Sequence, residues 1–212
     1  MAYNPTTKLD LVNLMLASIG EAPVNDLESG LTDAELAETI IGRVDRETQS
    51  EGWWFNTDYN RKYVTDEVSK EVLLPINSLK IDCVGTSSHL RLIQRRTSEG
   101  KNKIYDPYNH TFKIGDNHTS IYIDIVTQEE FDSLPEVVKR YLGIKASRRF
   151  TQQVVGNPQL YGFEKEDEAR ALAELKETES QIAGHNTFDE YSVFRVVNRN
   201  NYGTQRLRYG YV

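Results

Sequence analysis

The sequence predicts an α+β protein: an antiparallel bundle of about four helices, a small antiparallel β-domain inserted between the second and third, and an extended C-terminal tail. Three observations carry this. Apolar residues recur at helical spacing at both ends of the chain, they alternate with period two between Tyr59 and Val126, and regular periodicity stops after Gly184. The divisions expected are a helical bundle from 1–59 and 127–184, a β-domain from 60–126, and a C-terminal extension from 185–212.

The first helix runs from Thr6 or Thr7 to Ile19. Leu9, Leu11, Val12, Leu14, Met15, Leu16 and Ile19 form a stripe wide enough to predict burial on most sides, and Gly20 stands where a left-handed cap is needed. Pro23 and Gly30 interrupt the pattern. Thr32 and Glu35 then stand three apart as a capping box, and Leu36, Ile40, Ile41 and Val44 form the apolar face of a second helix. Glu38, Arg43, Asp45, Arg46 and Glu47 are read as its solvent face, and it should stop near Ser50 to Gly52. Trp53, Trp54 and Phe55 follow directly; adjacent aromatics leaving a helix more often anchor it to a neighbour than stack on a sugar or base.

Alternation is clearest at Ile121, Ile123 and Ile125, and recurs at Leu90 and Leu92 and at Phe112 and Ile114. Turn signals at Gly85 to Ser88, Ser98 to Asn102, Asp106-Pro107 and Gly115 to Asn117 divide the region into five to seven short strands, as a small sheet or barrel-like sandwich.

Helical spacing returns at Thr127. Thr127 with Glu130, and Ser133 with Glu136, repeat the capping-box arrangement, with Pro135 just inside the second start. Val137, Val138, Tyr141, Leu142, Ile144, Ala146 and Phe150 continue the helix until Gly156, Asn157 and Pro158 end it and open a fourth. That last helix is heavily acidic around a thin stripe of Ala169, Leu172, Ala173 and Leu175, so only a narrow face should be buried. The third and fourth helices are expected to return and pack on the first pair.

The last 28 residues hold Phe188, Tyr191, Phe194, Tyr202, Tyr209 and Tyr211 with Arg195, Arg199, Arg206 and Arg208. Their net charge is +2, against −9 for the 184 residues before them. Tyr and Arg are the residues that dominate protein interfaces, whereas disordered tails are poor in aromatics, so this stretch is expected to be ordered by docking on a partner.

With 212 residues, 38% hydrophobic and 27% charged, the chain can bury a sizeable core beneath much solvated surface. Its net charge of −7 disfavours general nucleic-acid coating, and a sheet-based nucleic-acid binder would need a basic aromatic face that residues 60–126 do not show. The single cysteine, Cys83, can close no intrachain disulfide, and His89, His110, His118 and His185 lack metal-ligand spacing. No secretory leader or apolar run of 18 residues is present, so the chain is read as intracellular without membrane insertion.

Catalytic signatures are missing as well. Gly100-Lys101 lacks the upstream glycine of a phosphate-binding loop, no GxSxG elbow occurs, and acid pairs such as Glu129-Glu130 discriminate nothing in a chain with 32 acids. The sequons at Asn109 and Asn117 read as turns between strands. Arg148-Arg149 leaves three readings open: contact with DNA, pairing with acids of the next helix, or an inter-subunit contact. Neither an enzymatic role nor a cofactor is expected.

Several blocks carry a family resemblance. LASIGEAPVNDLESG (Leu16 to Gly30), the acidic start of the second helix, QSEGWWFN (Gln49 to Asn56), KASRRF (Lys145 to Phe150) with Gly156 and Pro158 after it, and EDEARAL (Glu166 to Leu172) keep their order and approximate spacing. Together they resemble the tail tubular protein A family, head-to-tail adaptors of short-tailed bacteriophages of the autographivirus type. The resemblance covers the helical part at both ends; the β insertion and the last 28 residues align with no motif.

The resemblance implies a virion protein of the phage tail, assembled in the host cytoplasm as a dodecameric ring. The ring would bind the portal protein on one side and the tail nozzle, tail tubular protein B, on the other, with genomic DNA passing down the channel without tight binding. By the same resemblance the extension, through the aromatic and arginine residues named above, would dock on the portal. The competing expectation, from the acidic composition and the tryptophan pair, is a tail-associated hydrolase acting on host polysaccharide or peptidoglycan.

Overall fold

The shift from helical to alternating period and back is realised as four α-helices and five β-strands in the computed structural model, which describes residues 6–115, 118–156 and 158–182. The helices are α1 (Lys8–Ser18), α2 (Thr32–Gln49), α3 (Glu136–Val154) and α4 (Pro158–Ile182). Between α2 and α3 lie β1 (Thr57–Val64), β2 (Ser78–Cys83), β3 (Ile93–Arg96), β4 (Asn102–Tyr105) and β5 (Ser120–Thr127). The fold is α+β with small antiparallel sheets. The expected C-terminal tail lies outside the described residues.

Thr7 starts α1 by accepting from the Asp10 N–H while the Asp10 carboxylate accepts from the Thr7 N–H, a capping box built with Asp in place of Glu. Gly20, at φ +83°, ends it: its N–H bonds the Ala17 carbonyl and the Glu21 N–H bonds that of Leu16, the paired closure of a left-handed cap. Leu11, Val12, Met15 and Leu16 are buried, but Leu14 is 53% exposed, so α1 is covered on one side rather than most.

None of the three capping boxes read from the sequence forms. Thr32 is already helical, with Leu31 at the N-cap and no side-chain cap bond, so its hydroxyl is a residue too late to cap. Thr127 ends β5 because its N–H is taken by the Asn56 carbonyl, and its hydroxyl turns to the Glu129 carboxylate. Ser133 closes a 3₁₀ turn over Phe131–Ser133, bonding the Glu130 carbonyl, and Pro135 becomes the N-cap of α3 rather than its first residue.

Helix α3 packs against α1, α2 and α4, so α4 joins the first pair through α3. The resulting core joins Val12, Met15, Ile41, Val44, Val138, Leu142, Phe150 and Leu175. Gly143 lets α1 come close: a Cβ there would stand 2.8 Å from Leu11 Cδ2. On α4 the buried line is Ala171 and Leu175 with Leu172 half-buried, whereas Ala169 and Ala173 face solvent. The stripe is rotated because Glu168 turns inward to meet Arg148.

Among the described residues the strands number five, at the low end of expectation, and form two sheets rather than a closed barrel: β1-β5-β2 and β3-β4, all antiparallel. Alternation on β5 buries Ile121, Ile123 and Ile125 against Val72, Leu74, Leu92, Ile104 and Ile114, a second core separate from the helical one. Leu90, Leu92, Phe112 and Ile114 lie outside named strands; Leu92 and Ile114 are core residues on irregular backbone. Asn102, 6% exposed, donates to the carbonyls of Pro75 and Ile76 and to Ser78 Oγ, fixing the turn before β2.

Candidate functional site

The chain crosses between its two cores twice, after α2 and after β5, and two buried amide side chains lace the crossings together. Asn56 accepts from the Trp53 N–H at 2.8 Å, and its Nδ2 donates to the carbonyls of Gln49 and Thr127, both at 2.9 Å. Gln49 accepts from the Glu129 N–H at 2.7 Å and donates to the Glu129 carbonyl at 3.0 Å. On the exposed side of the joint the Asn77 side-chain amide donates to the Gln128 carbonyl at 2.9 Å, and the Asn77 backbone carbonyl accepts the Gln128 N–H at 2.8 Å. Buried polar groups are costly unless paired, so Gln49 and Asn56 hold the two crossings in one geometry.

Asp45 belongs to this joint and not to a solvent face. It is 8% exposed and accepts from Gln49 Nε2 at 2.8 Å. Burial pushes its carboxyl above the ordinary aspartate value, opposed by the Gln49 hydrogen bond and by the charges of Lys8 and Arg46.

Trp53 is 3% exposed and its indole N–H donates to the Thr48 carbonyl at 2.8 Å, tying the aromatic block to the last turn of α2. Trp54 and Phe55 pack half-buried on the helical core, edge to face, with centroids 6.5 Å apart for Trp53–Trp54 and 5.4 Å for Trp54–Phe55.

Helix α3 carries a ladder of ion pairs to both neighbours. Arg149 forks onto Glu47 of α2 at 2.7 and 2.8 Å, and Lys145, 5% exposed, reaches Thr48 Oγ1 at 3.4 Å and Glu47 at 3.5 Å. On the other side Arg148 pairs with Glu168 and Arg140 forks onto Glu174 of α4 at 2.8 and 2.9 Å. The Arg149 hydrogen bond holds the Glu47 carboxyl below its usual range despite partial burial, and Glu47 in turn raises Arg149. Within the chain, both arginines thus meet acids of flanking helices.

Phe188, Tyr191, Phe194, Arg195, Arg199, Tyr202, Arg206, Arg208, Tyr209 and Tyr211 all lie outside the described residues. Among the described residues no three His, Cys, Asp or Glu side chains could hold a metal ion, and no helix is long and apolar enough to cross a membrane.

Sequence reasoning passed over Gln49, Asn56, Lys139 and Lys145. Lys145 follows Tyr141 by four positions and Leu142 by three, which places it on the apolar face of α3, so periodicity alone carried that signal. Lys139, 2% exposed, satisfies its ammonium with the Asp132 carbonyl at 3.1 Å and the Glu136 carboxylate at 3.4 Å. Gln49 and Asn56 pair with residues more than 70 positions away, beyond any local pattern.

Comparison with known proteins gives two findings. The family described as Tail tubular protein matches residues 9–185, spanning both helical segments and the β insertion. Tail tubular protein A of Klebsiella phage KP34 is 28% identical over 131 residues. That alignment covers 61% of this chain and 63% of the relative, so it reaches less than two thirds of the relative's length.

Proposed function

The chain belongs to the tail tubular protein family and is a structural protein of a bacteriophage virion tail; from that premise we propose that it is the head-to-tail adaptor, a ring of twelve copies joining the portal to the tail nozzle around the DNA ejection channel. The observation that carries the reading is the family match across residues 9–185, which includes the β insertion that the sequence blocks alone left unaligned.

The geometry supports a joint under load. An adaptor between two larger assemblies must transmit force without shearing between its own parts, and the buried Gln49 and Asn56 amides resist relative motion of the two cores. The ladder on α3 serves the same end for the helices, and the inter-subunit contact is assigned to Arg149, the more exposed of the two arginines at 31% against 15% for Arg148.

The acidic body supports a conduit. Stable contacts from Lys or Arg to phosphates would raise affinity for DNA and impede its passage, and a net −9 over residues 1–184 opposes such contacts. The extension from Asp189 to Val212 is assigned to the portal, with its aromatics and arginines as anchors. Cutting the chain after Gly184 and measuring binding to the portal of the same phage tests this assignment. Loss of binding is expected; undiminished binding removes it.

A further inference from the structure

The turn after α2 and the end of α4 face one another across an open groove of about 1000 Å³. Gly52, Trp54 and Tyr59 line one wall; Lys176, Glu179 and Ile182 line the other. Two of these apolar side chains are bare, Tyr59 at 69% and Ile182 at 58% exposure. Nothing in the described residues covers them.

We propose that the groove is a docking site for the chain's own segment 188–195, with Phe188 seated beside Trp54 and Tyr59. Two observations select this occupant. First, Ile182 is both a wall of the groove and the last described residue, so the 30 residues that follow depart from the groove itself. Second, Phe188 lies six positions beyond Ile182, a reach of roughly 20 Å when extended, ample to turn back into a groove of this size.

The tether decides between a segment in the same chain and one from elsewhere. A short linker holds its end at an effective concentration on the order of millimolar, so one aromatic anchor suffices where a free partner would need many. The seated ring makes an aromatic contact with Trp54 and removes Tyr59 and Ile182 from water. This concerns the chain free of any portal and is independent of the portal-docking assignment.

The test uses acrylamide quenching of tryptophan fluorescence in the full chain without portal. Trp53 and Trp54 are the two tryptophans, and Trp53 is buried, so a change reports on Trp54. The triple substitution Phe188→Ser, Tyr191→Ser, Phe194→Ser is expected to raise the quenching constant about twofold by uncovering Trp54. The effect should vanish when Trp54→Phe is added, and Tyr209→Ser with Tyr211→Ser should leave quenching unchanged. Equal quenching with and without the triple substitution overturns the proposal. So does quenching that rises on a roughly hundredfold dilution of the unaltered chain, because that assigns the groove to a second copy.

Discussion

Gln49 grips Glu129, 80 positions away in sequence, by both of its backbone groups, accepting from the N–H at 2.7 Å and donating to the carbonyl at 3.0 Å. The side-chain amide thus stands in for a strand neighbour at the point where the β region hands the chain back to the helices. Because Gln49 is fully buried, replacing it by a residue of similar volume without polar atoms strands three partners: the Glu129 N–H, the Glu129 carbonyl and Asp45. Gln49→Leu should therefore cost about 2–4 kcal/mol in urea unfolding. A loss below about 0.5 kcal/mol contradicts the role given to this joint.

Asp45 makes stability at the joint depend on pH. Its folded-state carboxyl titrates above the unfolded value of 3.8, so its contribution is fully present below that value and is lost as pH rises through the folded value. At neutral pH the buried charge is a net cost. Asp45→Asn should then match or exceed the parent in stability at pH 7, with the advantage shrinking as pH falls toward 3.8. Chemical denaturation across that range checks the sign, and a constant difference contradicts it.

The adjacent arginines should separate in their energetics. The Arg148–Glu168 pair is shielded, with side chains 15% and 17% exposed, whereas Arg149 and Glu47 stand at 31% and 48%. Arg148→Ala should cost about 2–3 kcal/mol by leaving a shielded acid unpaired, and Arg149→Ala about 0.5–1 kcal/mol. Glu47 has the opposite sign to Asp45: its lowered carboxyl contributes stability above 4.5 that is lost as pH falls through the folded value. Equal costs for the two arginines, measured by thermal unfolding at pH 7, contradict this ordering.

Gly143 and Leu11 should behave as one unit. Alanine is the better helix former by about 1 kcal/mol, but its Cβ at 2.8 Å from Leu11 Cδ2 must displace the buried Leu11 side chain, so Gly143→Ala should lose about 1 kcal/mol net. In the Leu11→Ala background the clash is gone and the same substitution should turn neutral or stabilising. A double-mutant cycle with no coupling between the two positions contradicts the close approach.

The order of helices and strands was legible because period is a local property: α1, α2 and α3 show their apolar faces directly, and Ile121, Ile123 and Ile125 show theirs. Capping was less so. A Thr or Ser three residues before Glu is a cap only when its backbone is extended and its N–H is free, and at Thr127 the Asn56 carbonyl had already claimed that N–H. The joint was largely hidden. Asp45 and Gln49 look like the polar side of a surface helix until β5 returns beside them, and no residue near Asn56 in sequence reveals that it bonds Thr127. Lys145 was the exception, since its spacing from Tyr141 and Leu142 already placed it inside.

The adaptor reading is tested most directly by the mass of the assembled protein. The 24.3 kDa chain should run as a monomer alone, since lateral contacts become strong when a preformed ring supplies many attachment points at high effective concentration. With the portal of the same phage it should form a complex carrying twelve copies per portal ring. A chain that stays monomeric beside an intact portal contradicts the account.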